Sequence, residues 1–195
     1  MQFFNDNYIQ KWRRSQYGSS VGMLKESYVE DSMESLYENF SAHPEAAKKY
    51  DIFLSHRYED KKYVRDLLEI LYKKYKLSVY VDWIVHPDLD RTNVTKATAS
   101  VIREDMKRCK SLWFLTSKTS ETSKWMPWEA GFMDGYNGNV LICPYINEGD
   151  FQGAEYLSLY PYVRPSQTKE SKRDCIAVHD NHDCVTFESW LNRSK

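Results

Sequence analysis

Between Tyr50 and Ile146 the chain alternates short apolar runs with amphipathic or polar stretches, and that alternation leaves few folds open. Tyr50 to Leu54 reads as a short strand, and Ser55 to Asp60 as a polar loop. Tyr63, Leu67, Leu68, Leu71 and Tyr75 then fall at helical spacing. Leu77 to Val81 is a second strand ending at Asp82 and Trp83, followed by a long loop from Ile84 to Asn93. Thr95 to Lys110 reads as a helix with Ala97, Val101, Ile102 and Met106 on one side, and Ser111 to Ser117 as a third strand. A helix carrying Trp125 and Glu129 follows, and Val140 to Ile146 is a fourth strand. Strands that alternate with helices predict a parallel sheet covered on both faces, joined by right-handed crossovers. The loops at the strand C-terminal ends then converge, and ligands of open α/β sheets bind there.

The flanks read differently. Residues 1–49 are expected to form an N-terminal helical extension to a domain spanning 50–195. In that extension Val29, Met33, Leu36, Tyr37 and Phe40 make an apolar stripe, separated by Gly18 to Ser20 from an aromatic and basic head with Trp12, Arg13 and Arg14. Such a stripe needs a cover, either the main domain or a second subunit. Toward the C-terminus, Tyr156 to Tyr162 reads as an aromatic loop and Gln167 to Asp174 as a solvated connection. Cys175 to Val178 is expected to be a fifth strand, and Phe187, Trp190 and Leu191 to lie on a closing helix.

Composition excludes several classes. A net charge of -1 argues against nucleic-acid or membrane binding by bulk electrostatics. No apolar run approaches the length that crosses a bilayer, and the first residues lack a signal peptide's basic start and apolar stretch. Cys109, Cys143, Cys175 and Cys184 form no paired-ligand spacing and read as reduced, buried thiols of a cytoplasmic protein. Cys175, His179, His182 and Cys184 are zinc-capable, but their spacing does not fit the usual ligand pairs, so no metal is expected. There is no nucleophile elbow for a serine hydrolase, and His56 beside Ser55 is adjacency without the alignment a base needs. Dinucleotide and P-loop glycine motifs are absent.

The segment from Ser117 to Gly135 carries the chemistry that remains. Ser123 is a plausible N-cap, Pro127 suits a first helical turn, and Trp125 and Glu129 are four apart on one helix face. The bland alternative is that both tryptophans, Trp125 and Trp128, pack into the core while Glu129 is a solvated first-turn acid. The sharper reading is a crevice with one candidate acid, Glu129, flanked by Trp125, Trp83, Asp82, Ser55 and Arg57. One carboxylate among aromatics suits a reaction that develops a cation without a strong acid. Breaking a ribosyl–pyridinium bond is such a reaction, because nicotinamide leaves neutral and the sugar passes through an oxocarbenium-like state. Tryptophan can stack on the cationic ring, and arginine can meet a diphosphate.

These residues also resemble a known family. Asp51 to His56, Val79 to Trp83 with its following loop, and Ser123 to Glu129 are similar to the first strand, the second strand with its BB loop, and the glutamate segment of Toll/interleukin-1 receptor (TIR) domains that consume NAD+. The resemblance runs from about Tyr50 to Ile146, is nearest to stand-alone bacterial TIR proteins of anti-phage defence, and omits the first 49 residues. It implies a flavodoxin-like three-layer α/β fold with a five-stranded parallel sheet. It also implies Glu129 as the catalytic residue, Trp125 as a stacking aromatic, and Ser55, Arg57, Asp82 and Trp83 as substrate-binding residues. NAD+ enters as substrate and no cofactor is implied. Hydrolysis to ADP-ribose and cyclisation to a cyclic isomer both stay open. Self-association through TIR contacts, with His86 to Arg91 and the N-terminal helix as candidates, and a downstream effector sensing the product are further implications. The competing readings are a non-enzymatic TIR scaffold and a nucleoside deoxyribosyltransferase-like enzyme.

Overall fold

The computed structural model describes residues 2–18, 49–86, 95–118, 120–145, 155–168, 171–180 and 183–193. The apolar stripe from Val29 to Phe40 and most of the loop from Ile84 to Asn93 lie outside these residues. The elements, in chain order, are α1 (Asp6–Tyr17), β1 (Tyr50–Ser55), α2 (Lys61–Lys73), β2 (Val79–Tyr80), the short α3 (Asp82–Val85), α4 (Lys96–Lys107) and β3 (Cys109–Thr116). They continue with α5 (Trp125–Asn137), β4 (Val140–Pro144), β5 (Tyr162–Gln167), β6 (Asp174–His179), β7 (Cys184–Thr186) and α6 (Phe187–Arg193).

One sheet of order β2-β1-β3-β4-β5-β6-β7 crosses the molecule. The pairings among β1 to β5 are parallel, while β5–β6 and β6–β7 are antiparallel. The sheet therefore has seven strands where five were expected. Its parallel part has the predicted α/β grammar, extended by an antiparallel edge. The expected fifth strand around Cys175 is the sixth and runs antiparallel; the fifth, Tyr162–Gln167, falls in the gap between the aromatic loop read up to Tyr162 and the polar connection read from Gln167. Val163 and Pro165 are buried in it while Arg164 and Ser166 are half-buried, a strand period that the proline disguises.

Strand alternation divides the core. Ile52 and Leu54 of β1 join a cluster with α1, α2 and α6, whereas Phe53 joins the cluster of α4 and α5. In α4 the buried face is Thr98, Ile102, Asp105 and Met106; Val101, expected inside, is exposed. The buried Asp105 explains the rotation, because it accepts from Tyr80 Oη at 2.6 Å, lies 3.0 Å from His86 Nε2 and pairs with Arg108. Helix α5 ends in Gly138 at φ 69, the left-handed cap that glycine adopts without a Cβ penalty.

The aromatic and basic head is helix α1, started by Asn5, whose Oδ1 accepts from Tyr8 N at 2.9 Å. Phe4, Tyr8, Ile9 and Trp12 are buried in one cluster with Leu67, Trp113, Val163 and Phe187. Each such side chain contributes on the order of 1.5–3 kcal/mol by leaving water. Arg13 clasps α2 through Asp66 at 2.7 Å and Glu69 at 2.8 Å, and Glu69 also accepts from Tyr17 Oη at 2.7 Å and Lys73 Nζ at 3.0 Å. Burial opposes both charges, yet the ion pairs raise the Arg13 pKa, and bonds from Tyr17, Arg13 and Lys73 lower that of Glu69. The first helix of the chain thus shares the core of the sheet.

Candidate active site

The chain leaves β1 for the outer strand β2 and then crosses back to β3, so the strand order reverses between β1 and β3. A crevice opens at the C-terminal ends of two strands that diverge in this way. Ser55 is the last residue of β1 and pairs with Phe114 of β3. Glu129, on the first turns of α5, reaches this point: Ser55 Oγ donates to Glu129 Oε2 at 2.6 Å. Both residues are buried, with 1% and 3% exposure. A carboxylate at such depth needs donors, and a short bond from a hydroxyl is among the stronger ones. Glu129 is therefore not the solvated first-turn acid of the bland reading.

The start of α5 follows the sequence closely. The helix begins at Trp125, with Pro127 in its first turn, and Ser123 Oγ accepts from Met126 N at 3.2 Å. Trp125 is half-buried and leans edge-on against Trp128, with ring centroids 5.4 Å apart. Trp128 stacks on Phe132, and Phe132 on Tyr136, so an aromatic row runs along the outer side of the helix. The two loops over the crevice are tied together. Ser117 Oγ donates to Asp60 Oδ2 at 2.6 Å, and Arg57 Nη1 donates to Thr122 Oγ1 at 3.3 Å.

Arg57 is at the predicted loop but is engaged by a neighbour that the sequence reading passed over. Its Nε and Nη2 donate to the two carboxylate oxygens of Glu59 at 3.0 and 2.7 Å. The bidentate bond holds the Glu59 carboxyl at a pKa of about 2 and raises that of Arg57. Glu59 stands two residues beyond Arg57, a spacing that was readable but carries no motif.

Asp82 and Trp83 follow β2, but they open the short helix α3 where a strand end running into a loop was expected. Asp82 Oδ1 accepts from Trp83 N at 2.6 Å. The indole of Trp83 is engaged on the α2 side: its Nε1 donates to His56 Nε2 at 2.8 Å, and the Arg65 guanidinium lies 5.6 Å from its ring centre. His56 Nδ1 in turn lies 2.8 Å from Leu54 O. Consecutive residues at the tip of β1 thus reach different elements, Ser55 to α5 and His56 to α3. Strand alternation was the signal for this split, and His56 had been weighed only as a hydrolase base.

Among the described residues there is no group of three that could hold a metal ion. His179 lies 3.3 Å from Cys184 Sγ but also accepts from Arg164, a cation that disfavours a second one; His182 is outside the described residues. All four cysteines are free; Cys109 and Cys143 are buried, whereas Cys175 is half-buried and Cys184 exposed, contrary to the expectation that all four are inside. No helix among the described residues is long and apolar enough to cross a membrane.

Comparison with known proteins identifies the family. The Thoeris protein ThsB TIR-like domain family matches residues 53–144, which span β1 through β4 and hold Ser55, Trp83, Trp125 and Glu129. A probable 3′ cyclic ADP-D-ribose synthase ThsB′ of Bacillus cereus (strain MSX-D12) is 35% identical over 198 aligned residues that cover all of both chains. A putative cyclic ADP-D-ribose synthase TIR2 of Cytobacillus dafuensis is 29% identical over 97 residues, 49% of this chain and 25% of that one. The match to the first relative runs the full length of both proteins, including α1 and the antiparallel strands, and the chain belongs to the TIR-like family of Thoeris ThsB proteins.

Proposed function

We propose that the protein is an NAD+-consuming enzyme that cleaves the nicotinamide–ribosyl bond and closes the remainder into a cyclic ADP-ribose isomer. The observation that carries this reading is the buried Ser55–Glu129 pair, 2.6 Å apart, at the point where the strand order reverses. The full-length likeness to a probable cyclic ADP-D-ribose synthase supports cyclisation over hydrolysis.

In this mechanism the C–N bond breaks and nicotinamide takes the electron pair, leaving neutral. Positive charge develops on the ribose, and the Glu129 carboxylate, oriented by Ser55, stabilises it. A hydroxyl of the same molecule then bonds to the ribosyl carbon and gives up its proton, for which Glu129 is the acceptor. Water in the same place gives ADP-ribose. Trp125 stacks on the pyridinium ring at the head of α5. Arg57 exchanges Glu59 for the diphosphate, and Asp82 and Trp83 set the base of the loop beside the pocket. We place the protein in the cytoplasm, acting in anti-phage defence by self-association and through an effector that senses the product.

Glu129→Gln keeps the acceptor for Ser55 and removes the charge. Incubated with NAD+ at high protein concentration, wild type is expected to release nicotinamide and a cyclic co-product, while the variant stays folded and loses turnover by about a thousandfold. Wild-type turnover retained in the variant removes Glu129 from this role. No NAD+ loss from either protein would favour a scaffold acting by association alone.

A further inference from the structure

The geometry points to His56 as a positioning residue: it holds the Trp83 indole, and through it the base of the loop that leaves Asp82, against the strand tip that carries Ser55. This inference rests on the proposed NAD+ reaction.

The protonation state of His56 follows from its partners. Leu54 O only accepts, so the nitrogen 2.8 Å from it, Nδ1, carries the hydrogen. Trp83 Nε1 only donates, so His56 Nε2, 2.8 Å away, presents its lone pair. The ring is thereby the neutral Nδ1–H tautomer, with both nitrogens satisfied. Its side chain is 2% exposed, so it reaches a bound substrate only through another residue. Asp82 Oδ1 lies 3.7 Å from Nε2, outside bonding distance, and is taken up by Trp83 N at 2.6 Å. Trp83 is thus fixed at three points: the backbone N–H by Asp82, the indole N–H by His56, and the ring face by Arg65 of α2. His56 follows Ser55 directly, so the loop base is held beside the bond that anchors Glu129 and not through it. No group in this assembly touches the reacting bond, and the expected kinetic signature is in binding.

Three variants test it: His56→Leu, His56→Gln and Trp83→Phe. The Gln amide oxygen accepts where Nε2 does, Leu cannot, and Phe removes the donor. His56→Leu is expected to raise KM for NAD+ about fivefold to tenfold with kcat within about twofold, and His56→Gln to restore most of the loss. The indole N–H resonance of Trp83, identified by its disappearance in Trp83→Phe, is expected to shift in His56→Leu and return in His56→Gln. The double variant His56→Leu/Trp83→Phe is expected to be no worse than the poorer single one. An unshifted resonance in His56→Leu, equal impairment by Leu and Gln, or additive losses would overturn the inference. If His56→Leu does not fold, Trp83→Phe reads the same contact from the donor side, and an unchanged KM overturns it. Wild type that consumes no NAD+ refutes the reaction itself, and the indole resonance still decides whether His56 holds Trp83.

Discussion

Ser55→Ala isolates the contact on which the proposed chemistry depends. It deletes one hydroxyl from a site with 1% exposure and leaves the Glu129 carboxylate in place. A hydrogen bond to a charged group contributes about 1.5–3 kcal/mol net. Ser55 directs one carboxylate oxygen at 2.6 Å, and without it the carboxylate can turn away from the ribose. If the whole contribution is felt in the transition state, kcat falls by about 10- to 150-fold, since about 1.4 kcal/mol is tenfold in rate. The same loss in the folded state lowers the midpoint of thermal unfolding by about 3–12 °C for a domain of this size. Ser55→Thr restores the hydroxyl on a strand that accepts β-branched residues, and should recover kcat to within about threefold. The assay is nicotinamide release at saturating NAD+, with thermal unfolding measured on the same samples. A Ser55→Ala protein with kcat within about twofold of wild type would refute the argument that this bond orients the catalytic carboxylate.

Other consequences are as direct. Glu59→Ala releases Arg57 from its bidentate partner and is expected to lower KM for NAD+ about threefold at low salt, while an exposed pair of this kind changes stability by less than about 1 kcal/mol; steady-state kinetics against ionic strength check both. Glu69→Ala removes the acceptor shared by Arg13, Tyr17 and Lys73 and should destabilise the protein by about 3–5 kcal/mol in denaturant unfolding. Because the folded pKa of Glu69 is lowered, its contribution is complete above the ordinary glutamate value of 4.5 and is lost as pH falls through the folded value, so wild type and variant should converge in acid. Burial pushes the Cys109 and Cys143 thiols well up. A thiol reagent at neutral pH should therefore label Cys184 first and reach Cys109 and Cys143 only after denaturation.

The residues that announced themselves in the sequence are those whose local pattern and tertiary role coincide. Strands β1, β3 and β4 are apolar because they are buried on both faces, and Glu129 follows Trp125 and Pro127 in a helix start that is nearly self-evident. The antiparallel edge was harder to read. In strand β5 the proline at a buried position and Arg164 beside it disguise the period, and β7, with three residues, is too short to carry one. Helix α1 had its signal in Asn5 followed by Tyr8, Ile9 and Trp12, but the clasp by Asp66 and Glu69 lies more than fifty residues away in the chain. At the site, Ser55 was legible as the start of the loop that leaves the first strand, although it proves to be the last residue of β1. The pairing of His56 with Trp83, 27 residues apart, depends on how β2 sits beside β1, which no local pattern contains.

The place of α1 in the core also sets an order of events during synthesis. Phe3, Phe4, Tyr8, Ile9 and Trp12 are made ahead of the sheet, yet the cluster that buries α1 includes Val163, Ile176, Val178 and Phe187, about 150 residues or more later in the chain. At about 5–20 residues per second, the helix waits roughly 9–37 s before its last partner, Phe187, exists. Contacts closed over such sequence distance fold slowly. A nascent chain halted before β5 lacks the strands that seal this face, whereas Ser55 and Glu129 are already made. The Ser55–Glu129 pair would thus gain its finished scaffold only after the antiparallel edge of the sheet has been made.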